Sequence, residues 1–83
     1  MNGTTVRETR LRSLMHRIAR AREVAGRQTV ERETAIRRYG LAHPRTLAAT
    51  HQLTQTRHAH RVLLRMYRSL ASEHERVTAH ERS

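Results

Sequence analysis

Residues 39–44 read YGLAHP (Tyr39-Gly40-Leu41-Ala42-His43-Pro44), and this is the one stretch of punctuation in the chain. A glycine just past a periodic segment takes the left-handed conformation without a Cβ penalty, and a proline a few residues on suits the first turn of a new helix. The stretch therefore divides the sequence into two helices and one turn: a helix over about 5–39, a turn over 40–43 and a helix over about 44–80, forming a single domain over 1–83.

Upstream of the turn, Leu11, Leu14, Ile18, Ala21, Ala25, Ile36 and Tyr39 fall on one side of a helix advancing about 100° per residue, with Met15 at the margin. The stripe falters between Gly26 and Thr34, where Gln28, Thr29 and Arg32 take positions that an apolar face would claim. A kink or break near Gly26 is the expectation there, with a three-helix arrangement as the alternative. Downstream, Leu47, Leu53, Leu63, Met66, Leu70 and Val77 supply the apolar face. The run from His51 to His60 is rich in Thr and His, so the best packing is expected after Ala59. Glu8 with Arg12, Glu23 with Arg27 and Glu33 with Arg37 place acid four residues before base, which favours helix by a few tenths of a kcal/mol each, roughly.

The apolar supply is small. Leu, Ile and Val total fifteen of 83 residues, with no Phe and no Trp. Two helices of about 35 residues, each about 50 Å long, bury only one seam as a lone hairpin, whereas two hairpins paired as a four-helix bundle double the burial. The expected fold is all-α: an antiparallel helical hairpin that dimerises into a four-helix bundle, with Leu11, Leu14, Ile18, Ile36, Leu63, Met66 and Leu70 in the core or dimer seam.

The formal charge is +10, from seventeen Arg, no Lys, seven Glu and no Asp. Arginine is always charged and forks onto carboxylates and phosphates, although a GC-rich bacterial coding bias also replaces Lys by Arg. Arg57, Arg61, Arg65 and Arg68 recur at spacings of 4, 4 and 3, which confines them to about 80° of one helix face. Val62, Leu63, Met66 and Leu70 take the other side, and no Glu lies within a turn of the stripe to offset its self-repulsion. A second line, Arg10, Arg17, Arg20, Arg27 and Arg38, runs along the polar side of the first helix. Both point to a grip on something acidic, either the phosphates of a nucleic acid or an acidic protein. With Tyr39 and Tyr67 as the only aromatic residues, base stacking on single strands is disfavoured, and a duplex or structured-RNA backbone is the better fit.

Other chemistries find no support. The histidines at 16, 43, 51, 58, 60, 74 and 80 include no pair three or four residues apart, the spacing that lets two ligands on one helix reach one ion, so no metal and no cofactor is expected. His58 and His60 lie about 200° apart on a helix. The chain has no Cys, no glycine-rich phosphate loop and no paired-carboxylate spacing, and Glu73 and Glu75 point to different faces, so a non-enzymatic regulatory or binding protein is expected. No apolar run approaches a signal peptide or a membrane span, which points to a cytoplasmic protein without membrane attachment.

The turn and the start of the second helix carry one further signal. Gly40, His43, Pro44, Thr46, Leu47, Ala49 and Leu53 resemble the helix junction of kinesin-light-chain-type tetratricopeptide repeats, in which a Gly precedes His-Pro-x-Thr-Leu. The resemblance spans residues 39–53. The repeat pattern is not continued, because no Gly or Pro closes a helix within Arg57-His58-Ala59-His60-Arg61-Val62. The resemblance implies a helix-turn-helix unit that binds proteins or peptides without catalysis, and so an adaptor role as the alternative to nucleic-acid binding.

Overall fold

The structure, a computed structural model, describes residues 3–82, with side chains from Val6 onward. It is an all-α helical hairpin of two elements, α1 (Gly3–Tyr39, 37 residues) and α2 (Pro44–Arg82, 39 residues). The two lie alongside one another as a rod of 61 × 17 × 13 Å. α1 runs through Gly26 without interruption, so neither the break nor the three-helix alternative occurs. Gly26 is exposed, with open space where a Cβ would stand, and a solvent-facing glycine weakens a long helix without stopping it.

The connection is closed by its own hydrogen bonds. Gly40 has φ of 87°, and its N–H donates to the Ile36 carbonyl at 2.9 Å, the single left-handed cap that ends a helix. His43 then caps α2: its Nδ1 accepts the Arg45 N–H at 3.1 Å, and its carbonyl accepts the Leu47 N–H at 3.0 Å. Pro44, at the first helical position, has no N–H to satisfy. The Thr46 hydroxyl donates back to the Gly40 carbonyl at 2.7 Å, and Thr46 is the most completely buried residue, at 1% exposure.

Along α2 the half-buried and buried residues recur as Thr46, Ala49, Leu53, Thr56, His60, Leu63, Tyr67, Leu70, His74 and Val77, alternating steps of three and four. Along α1 they recur as Leu11, Leu14, Ile18, Ala21, Ala25, Gln28, Arg32 and Ala35, in the same rhythm. This 3-4 alternation is the two-stranded coiled-coil seam, in which a mean period of 3.5 keeps both stripes facing each other. Large apolar side chains fully buried in it are Leu14, Leu53 and Leu63.

The seam corrects several expectations. Met66 is 47% exposed and Leu47 is 55% exposed, because each sits one step outside the 3-4 rhythm that Leu63, Leu70 and Thr46 follow. Leu11, Ile18, Ile36 and Leu70 are half-buried, flanking the three leucines. The best packing does not lie after Ala59, since Leu53, at 3% exposure, is the most buried leucine. The faltering stretch of α1 is accommodated by a polar layer. Arg32 Nε donates to Thr50 Oγ1 across the seam at 2.8 Å, and that hydroxyl donates on to the Thr46 carbonyl at 2.9 Å. Thr29 turns inward on its own helix, donating to the Ala25 carbonyl at 2.8 Å.

Candidate anion-binding surface

The geometry of the seam assigns the arginines that flank it a side. On α1, residues that precede a seam position, such as Arg10 and Arg17, flank one side of the hairpin, and residues that follow one, such as Met15, flank the other. Two open grooves run between the helices. The first is lined by Arg10, Ser13, Leu14 and Arg17 of α1 and by Arg65, Met66, Ser69, Leu70 and Glu73 of α2. The second, nearer the turn, is lined by Val30, Glu31, Thr34, Ala35, Arg38 and Tyr39 with Arg45 and Ala49.

Corresponding residues of the two grooves are spaced by multiples of seven: Arg10, Arg17, Glu31 and Arg38 on α1, and Arg45, Met66 and Glu73 on α2. A seven-residue repeat returns to the same face of a coiled-coil helix, so both grooves open on one side of the rod.

The two arginine lines expected from sequence are therefore redistributed. Arg57, Arg61, Arg65 and Arg68 are all exposed; Arg57, Arg61 and Arg68 each follow a seam position (Thr56, His60 and Tyr67) and so lie toward the flank opposite the grooves. Within that stripe Arg65 lines the first groove together with Arg10 and Arg17 from α1; Arg57, Arg61 and Arg68 line neither groove. Arg20 and Arg27 are exposed on α1 and also line neither, while Arg38 joins the second groove. One group of arginines thus borders apolar furrows, and another stands on open helix surface.

Internal partners absorb little of this charge. Between described residues the one carboxylate–guanidinium pair within 4.0 Å is Glu33–Arg37, with both side chains mostly in water, which leaves its contribution small. Arg32 is engaged by Thr50. Arg45 was missed by sequence reasoning: its guanidinium donates to the Tyr39 hydroxyl at 2.8 Å and lies 5.2 Å from the centroid of that ring. Tyr39 in turn stacks on His43 with ring centroids 4.6 Å apart. The signal was available in principle, since the four-residue turn folds Arg45 back beside Tyr39, but it requires the cap geometry and not the helical period.

Among the described residues, no three His, Cys, Asp or Glu side chains come together. His60 and His74 occupy seam positions, where His60 Nε2 and His74 Nδ1 are buried without a hydrogen-bond partner. No helix among the described residues is long and apolar enough to cross a membrane. Compared with protein-family models, with curated proteins and with solved structures, the chain matches none.

Proposed function

We propose that this hairpin is a non-enzymatic, regulatory binding protein of the cytoplasm that grips the phosphate backbone of a duplex or structured nucleic acid. The observation that carries the reading is the stripe of Arg57, Arg61, Arg65 and Arg68: four exposed guanidiniums on one face of α2, none within 4.0 Å of a described carboxylate. Placing like charges one turn apart costs an isolated helix a few tenths of a kcal/mol per pair, roughly, and an external polyanion reverses that sign.

The test is the salt dependence of binding to duplex DNA and to a structured RNA, followed by fluorescence anisotropy. Affinity should fall steeply as salt rises, with little dependence on sequence, and the variant carrying Arg57→Ala, Arg61→Ala, Arg65→Ala and Arg68→Ala should lower the slope of log K against log salt by about 3.6 on duplex DNA. The four side chains are exposed, so the variant should keep its helicity. No binding to either nucleic acid at low salt excludes this reading.

A second reading, an adaptor for an acidic protein, is favoured by the first groove, where arginines surround apolar side chains instead of standing on open surface. The resemblance of the turn to a tetratricopeptide helix junction agrees with it. Self-association into a homodimeric four-helix bundle belongs to either reading, supported by how few large side chains one hairpin buries.

A further inference from the structure

The first groove is a furrow of about 730 Å³ with two chemistries arranged side by side. Its floor and wall are apolar: Leu14 is buried, Leu70 is half-buried, and Met66 is left 47% exposed. Its rim carries Arg10 and Arg17 on one helix and Arg65 on the other, against a single carboxylate, Glu73.

A phosphate backbone would satisfy the rim and leave Met66 in water. A purely apolar partner would cover Met66 and strip water from guanidiniums it cannot pair, a desolvation penalty that the apolar gain does not recover. A second copy of this chain laid on the same furrow would bring another three arginines against the first three. The occupant that meets both parts is a helix with an apolar stripe along its middle and carboxylates on its flanks.

Shape agrees with this. A furrow between two antiparallel helices is where a third helix packs, with its side chains seated between theirs. The same side of the rod continues to the second groove, where Ala35 and Ala49 are flanked by Arg38 and Arg45, against one carboxylate, Glu31. Leu14 and Ala35, one in each groove, are 21 residues apart on one helix, which is about 31 Å, so the track accommodates a helix of about 20 residues or more.

We propose that this side of the hairpin is a docking surface for an acidic amphipathic helix of another protein, which lies along the furrow between α1 and α2. The proposal rests on the protein-binding reading and shares only Arg65 with the phosphate reading.

The probe is a fluorescein-labelled peptide of about 28 residues, roughly 42 Å as a helix, with Leu on one stripe and Glu on both flanks. It is compared with a peptide of the same composition in scrambled order and with one in which Lys replaces Glu. The acidic amphipathic peptide should bind, and the other two should not. Met66→Glu and Arg17→Glu should each weaken binding by roughly tenfold or more, while Met15→Glu, at a somewhat more exposed methionine on the opposite flank, should change it by less than about twofold. All three positions are exposed, so circular dichroism should show unchanged helicity.

Tight binding that ignores Met66→Glu overturns the groove and leaves an adaptor role standing elsewhere on the surface. Equal binding of the scrambled peptide reduces the interaction to charge alone and overturns the proposal. No binding of the acidic peptide overturns both the groove and the adaptor reading. A DNA duplex that displaces the peptide, and whose own affinity falls roughly tenfold on Met66→Glu, reassigns the furrow to nucleic acid and likewise overturns it.

Discussion

At the residue scale, the fold depends on polar atoms that apolar patterning ignores. Thr46 was legible only as part of a junction motif, yet its hydroxyl ties the start of α2 to Gly40. Replacing it by Val keeps the shape and leaves the Gly40 carbonyl without that donor, so thermal unfolding should show a loss of about 1–2 kcal/mol. Gly40→Ala should cost about 1 kcal/mol or more for a different reason: at φ of 87° a Cβ meets the backbone, although the surrounding space is open. An unchanged melting temperature in either variant would show that the turn is not closed as described. Gln28 is the converse case. Its Oε1 is buried with no partner in the seam, so Gln28→Leu should stabilise by about 1 kcal/mol, read from the same melting curves.

At the scale of the helices, two elements and one turn were legible from YGLAHP and the apolar period, and the seam only in part. Tracing large apolar residues puts Leu47 and Met66 inside, whereas the backbone rhythm puts Thr46, His60 and His74 there instead. The reason is physical. With so few bulky side chains available, a coiled-coil register is decided by which stripe stays closest to a 3.5-residue period along the whole helix, and small or polar residues at some steps are tolerated. The expected break at Gly26 failed for the same reason: of the polar residues after it, Gln28 and Arg32 occupy seam positions, Arg32 bonded to Thr50, and Thr29 bonds back to its own helix, so none of them forms a loop. Gly26 now has a simple consequence. It is exposed in mid-helix with open space around the position a methyl group would take, so Gly26→Ala should raise stability by about 0.5–1 kcal/mol, and a fall in melting temperature would mean that α1 bends there after all.

At the scale of the whole molecule, a formal charge of +10 is spread over a rod 61 Å long that buries three leucines. The sequence showed the arginines but not their division between open surface and furrow, because that division depends on how α1 and α2 are rotated about the seam. Self-repulsion among largely unpaired arginines destabilises the compact state, and salt screens it over about 10 Å at 0.1 M. Raising sodium chloride from about 50 to about 500 mM should therefore raise the melting temperature of the free protein while weakening its hold on nucleic acid. These opposite responses separate the two roles of the same charges. If two hairpins pair as proposed, the melting temperature should also climb with protein concentration, since association stabilises by mass action. Sedimentation equilibrium decides the point: a single species of 9.7 kDa at every salt and concentration would mean that the hairpin stands alone, with its remaining apolar surface free for a different partner.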